Sequence, residues 1–139
     1  MNKEILGQID RVYKETSRLT YKTIEQCLAD FESELKVISK RFGIDNFEAF
    51  FLLSIILNNV EYKNCRLEDI ADKMEISKFE VLKNIEKLFS LQAKKLIEIS
   101  KPKETEFNNH RYSHLSEFPI GILNQVFRIS HEIEYQLFG

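Results

Sequence analysis

RLEDIADKMEISKFEVLKNIEKLFSLQAKKLIEIS, residues 66–100, is the stretch whose reading decides the fold. Leu67, Ile70, Ala71 and Met74 fall at i, i+3, i+4 and i+7, the spacing of a short amphipathic helix with one buried face. Ala71 is small at the point where a second helix must approach closely. Ile76 follows in a turn and can plug the gap between the two helices. Ser77 with Glu80 three residues on is a capping-box signature, so a longer helix starts there. Its buried stripe is Val81, Leu82, Ile85, Leu88, Phe89 and Leu91. The run LIEIS, with Leu96, Ile97 and Ile99, then reads as a β-strand. Helix, tight turn, helix, strand is the order this stretch predicts.

Upstream, residues 47–60 (FEAFFLLSIILNNV) are apolar nearly all round, which makes that helix central. Asp45 or Asn46 caps it, with Glu48 placed to complete a box with Asp45. Before it, Ile24, Leu28, Phe31, Leu35, Ile38 and Phe42 recur at four- and three-residue steps and predict one long helix over 17–42, closed by Gly43. Residues 2–15 carry a weaker stripe, Ile5, Ile9, Val12 and Tyr13, which needs a partner surface. Downstream, KPKETEFNNH (101–110) is a polar loop and RYSHL (111–115) reads as a returning strand. Pro119 suits a first helical turn, and Ile120, Leu123, Val126, Phe127, Ile129, Ile133 and Leu137 then predict a final helix to about Phe138.

Composition sets the frame. The chain has 139 residues, 43% of them hydrophobic, which suits one domain with a real core. Four Gly and two Pro indicate a mainly helical chain. No apolar run is long enough to span a membrane, and MNKEILGQIDR lacks a signal-peptide core, so a cytoplasmic protein is expected. Cys27 and Cys65 stand apart with no metal spacing and read as buried thiols in a reducing compartment. No cofactor is expected. There is no phosphate-binding glycine loop, no G-x-S-x-G and no H-E-x-x-H, so the chain does not read as an enzyme. His110 and His114 flank the returning strand without a third ligand, and no metal is expected there or at His131.

Together the elements predict a mainly α fold with a small β-hairpin wing. This is a winged helix-turn-helix over 45–115, with flanking helices over 2–42 and 117–138, making one domain of residues 1–139. In such a fold the second helix of the motif, about 78–94, enters the major groove of double-stranded DNA, and the wing, about 100–112, lies on the backbone. Ser77, Lys78, Lys83, Asn84 and Lys87 are the candidate contacts on the helix: Lys83 and Lys87 for phosphates, Lys78 and Asn84 for base edges. Lys101, Lys103 and Arg111 are the candidates in the wing, opposed by Glu104 and Glu106. Charge supports this only mildly. The whole chain has 20 Lys and Arg against 22 Asp and Glu, while residues 66–111 hold ten against nine. So few cations call for dimerisation if binding is to be tight, and the flanking helices are the expected homodimer surfaces.

Two resemblances carry the reading further. A long first helix, an apolar helix after F-G-I-D, then L-x-x-I-A-x-x-M-x-I-S and a wing is similar to MarR-type regulators, which implies a dimeric transcription regulator. The wing KPKETEFNNHRY lacks the acidic-x-basic motif of that group. R-Y-S-H-L-S-E-F-P-I-G-I-L resembles the segment that links an N-terminal winged-helix domain to the module of AAA-type ATPases. That implies instead a non-enzymatic interaction domain, with ATP handled by residues outside this chain.

Overall fold

The computed structural model describes residues 4, 5, 8, 9, 11, 12, 20–61, 64–100 and 119–139. In chain order the elements are α1 (Ile24–Asp30), α2 (Glu32–Phe42), α3 (Asn46–Val60), α4 (Leu67–Lys73), α5 (Lys78–Lys83), α6 (Ile85–Ala93) and β1 (Ile97–Ser100). A 3-10 turn over Pro119–Asn124, β2 (Val126–Ile129) and α7 (His131–Phe138) complete the set. The fold is mainly α with one two-stranded antiparallel sheet. Among the described residues no helix is long and apolar enough to cross a membrane.

α3 is the centre, as its all-round apolar sequence requires. Phe50, Phe51, Leu52 and Ile55 are fully buried, and α2, α4, α6 and β2 pack around the helix. Its start is the expected capping box: Asp45 accepts from the Glu48 N–H and Glu48 accepts from the Asp45 N–H. Gly43 takes the left-handed conformation (φ 66°) that ends α2, at a position where a side chain would strain the backbone. Leu67, Ile70, Ala71 and Met74 of the α4 segment are all buried.

Three expectations are corrected. The long helix over 17–42 is broken at Phe31 (φ −114°, ψ 23°), which caps both α1 and α2. Phe31 sits on the exposed side of that bend rather than in the seam. The helix over 78–94 is likewise two segments, divided at Asn84. The final helix over 117–138 is only α7, because Val126–Ile129 is a strand. A short run such as V-F-R-I satisfies both periods. Here alternation wins, with Phe127 and Ile129 buried and Arg128 out. Ser130 then starts α7 afresh by accepting from the Ile133 N–H.

β2 pairs with β1 in the register Ile97–Ile129, Glu98–Arg128, Ile99–Phe127 and Ser100–Val126. The segment 111–115, expected as the returning strand, lies outside the described residues, as does the wing over 101–112. The other edge of β2 is closed by two groups from upstream. The Phe127 N–H donates to the Cys65 carbonyl at 2.8 Å. The Asn59 amide accepts from the Ile129 N–H at 2.9 Å and donates to the Phe127 carbonyl at 3.5 Å, standing in for one peptide unit of a third strand. Asn59→Leu keeps the branched shape and strips both partners. It is expected to destabilise the fold by about 1–3 kcal/mol in urea titrations, the cost of leaving edge groups unsatisfied.

Candidate nucleic-acid interface

The turn between α4 and α5 is built from Met74 to Ser77. Glu75 adopts φ 58°, a left-handed conformation that reverses the chain in one residue. Ile76 then fills the gap between the helices as expected, 1% exposed, with its N–H bonded to the Ala71 carbonyl at 3.0 Å. Strand-like residues ahead of α1 brace this turn: the Lys22 N–H donates to the Glu75 carbonyl at 2.8 Å, and their side chains pair at 3.3 Å. The buried Cys27 thiol donates weakly to the Met74 carbonyl (3.8 Å), tying α1 to the same place.

Each candidate contact on the helix has a definite position. Ser77 is fully buried and caps α5 through the Phe79 N–H at 3.1 Å, so its hydroxyl is an anchor for the helix rather than a group presented to a ligand. Lys78 and Lys83 are half-buried on α5. Asn84 is turned back: its amide donates to the Glu80 carbonyl at 2.8 Å, while its own N–H bonds to the Val81 carbonyl at 3.0 Å. The side chain thus takes the acceptor that the helix ladder would use, which is the physical reason the helix breaks there. Asn84 and Lys83 therefore stand at a bend between α5 and α6. Lys101, Lys103 and Arg111 lie outside the described residues.

Lys87 is half-buried and held by a contact within the chain. Its ammonium bonds to the Asp45 carboxylate at 2.9 Å and sits 5.4 Å from the centre of the Phe47 ring. The bond to Asp45 is the main reason its pKa is raised. About two turns later, Lys94 contacts both oxygens of Glu48 at 3.0 and 2.9 Å, and Ser90 donates to Glu48 at 2.8 Å. The Glu48 side chain is only 5% exposed. Burial opposes its ionisation, but Lys94, Ser90 and the Asp45 N–H together outweigh it and hold the carboxyl below its usual range. Asp45 is lowered in the same way, burial being overcome by the Glu48 N–H and Lys87. The first turn of α3 and one side of α6 are thus joined by two ion pairs. The sequence reading took Glu48 only as a capping residue. Its partners Ser90 and Lys94 could not be read from spacing, because they belong to a different helix and lie far away in sequence.

α5 has a neighbour on its exposed side. Gln8, Ile9, Val12 and Phe79 line one recess of about 390 Å³, which places the N-terminal helical residues beside the first turn of α5. A second recess, about 560 Å³, lies among the C-terminal end of α3, β2 and α7, where Asn59, Cys65, Arg128 and Phe138 meet. Both thiols are free and buried. Burial raises Cys27, and pushes Cys65 up to about 12 with help from the Asp69 charge, so neither is a thiolate at neutral pH. His131 is exposed, 3.6 Å from Glu134; His110 and His114 lie outside the described residues.

Comparison with protein-family models, with curated proteins and with solved structures found no match.

Proposed function

We propose that this chain is a winged-helix DNA-binding domain of a regulatory kind, with α5 as the element that meets the major groove and residues 101–112 as the wing. The observation that carries the reading is the order of parts around α3. The pair α4–α5 is joined by a left-handed turn at Glu75, and α6 leads into β1, which pairs with β2. The outer edge of β2 then returns to Cys65, just ahead of α4. That arrangement supports a docking helix backed by a small sheet, the geometry in which the first residues of the second helix reach base edges.

The ion pair of Lys87 with Asp45 takes it out of the contact set. We assign the phosphate contacts to Lys78 and Lys83 by their place on α5, and to Lys101, Lys103 and Arg111 in the wing. With about three to five such contacts, affinity is weak and steeply salt-dependent, with a log–log slope of about −3 to −5. Fluorescence anisotropy on a mixed-sequence duplex at low salt tests this. Lys78→Glu/Lys83→Glu is expected to weaken binding at least about tenfold. Lys87→Glu is expected to act on stability instead, by placing a carboxylate against Asp45. Absence of binding at low salt would remove the proposal.

The loss of Lys87 to Asp45 favours a second reading, a protein-interaction domain accessory to a larger ATPase. In that case the double variant leaves anisotropy flat, because no duplex is held by the native chain either.

A further inference from the structure

We infer that the N-terminal helical residues 4–12 are an autoinhibitory element, docked on the outward face of α5 and displaced when a duplex takes that face. This rests on the reading of α5 as the groove helix and adds a regulation to it. Successive residues of a helix are turned by about 100°. Glu80 and Val81 are buried and define the inner side of α5. Phe79 then falls on the outer side, between Lys78 and Lys83, the two cations assigned to phosphates. The face offered to DNA thus has an apolar centre, and Phe79 is half-buried there.

Gln8, Ile9 and Val12 stand across from Phe79, the four residues lining one recess of about 390 Å³. Ile5, Ile9 and Val12 fall at i, i+4 and i+7, one stripe of a helix too short to be stable alone in water. The recess places the Ile9 and Val12 end of that stripe at the first turn of α5, the partner surface that its sequence calls for.

A helix with its side chains is about 10–12 Å across, and the major groove is about 12 Å wide. α5 alone fills the groove, and α5 with a second helix against its outer face does not enter. Residues 4–12 and a duplex therefore exclude one another. The contact is a loose one, since Ile5, Ile9 and Val12 remain 56%, 45% and 59% exposed. Loose docking is what a reversible block needs: the duplex displaces it and gives up part of its affinity in doing so.

Fluorescence anisotropy of the full chain on a mixed-sequence duplex at low salt reads the competition. Ile9→Gly/Val12→Gly removes the stripe and lowers helix propensity without changing charge. It is expected to bind at least about threefold more tightly than native, which corresponds to a native chain closed about two-thirds of the time or more. Val12→Cys/Phe79→Cys, joined by a short bismaleimide, locks the element in place. Cys27 and Cys65 are buried, which leaves the introduced pair to react. The joined chain is expected to hold the duplex at least about tenfold more weakly than the same variant capped with N-ethylmaleimide. A pair that does not join, a joined chain that binds like the capped one, or a Gly variant no tighter than native overturns the inference while DNA binding stands. A duplex held by neither the native chain nor the Gly variant removes the DNA reading, and the inference with it.

Discussion

Phe127→Ala is expected to lower the unfolding free energy by about 3–5 kcal/mol, a large share of the stability of a domain of this size. Phe127 is fully buried and lies on β2 against α3. Its neighbour Arg128 is exposed, so Arg128→Ala is expected to stay within about 0.5 kcal/mol of native. Chemical denaturation followed by far-UV circular dichroism reads both. A large effect at 127 and 129 with a small one at 128 is the signature of a strand with one buried face. Equal sensitivity along the whole segment would contradict the β2 assignment.

Lys94→Met is the second large effect, expected to cost about 2 kcal/mol at neutral pH, since it leaves the Glu48 carboxylate buried without its cation, discounted because the Lys94 ammonium is half-exposed and partly screened. The pH dependence follows from the sign of the shift. In the native chain Glu48 is held below its unfolded value, so its contribution is present above about pH 4.3 and is lost as pH falls through the folded value. In Lys94→Met the largest of the lowering contacts is gone while the Ser90 and Asp45 bonds stay, so the folded carboxyl moves up from its native position. The variant's deficit is therefore expected to shrink on acidification and to disappear only as pH falls through the native folded value. Glu48→Leu/Lys94→Met removes both charges and is expected to recover much of the loss. A deficit that is constant with pH would show that Lys94 acts through its aliphatic stem rather than its charge.

How much of this was legible in the chain depended on whether the determining contact is local. The α3 cap, the Gly43 stop, the buried face of α4 and the Ile76 plug each rest on residues within a few positions of one another, and each is found as read. The break at Asn84 is also local. It escaped because an Asn amide that bonds four residues back leaves no mark on hydrophobic spacing. β2 was missed for another reason. Val126, Phe127 and Ile129 fit a helical stripe shared with Ile133, and only pairing with Ile97–Ser100 selects the strand. Lys87 was read as a phosphate contact because Asp45, the carboxylate it meets, is far away in sequence. Of the candidate contacts, Lys78 and Lys83 keep a place on α5, Ser77 becomes an internal anchor, and the three wing residues fall outside the described part.

The pairing of Ser100 with Val126 has a consequence for how the chain can change. It brings together residues 26 positions apart, so the sheet is a non-local contact, formed only when both strands are in place. The sheet register is set at the two ends, by Ile97–Ile129 and by the Asn59 and Cys65 contacts on β2. A substitution at either end of this ladder therefore disturbs contacts from distant parts of the chain, Asn59 and Cys65 as well as Ile97–Ser100.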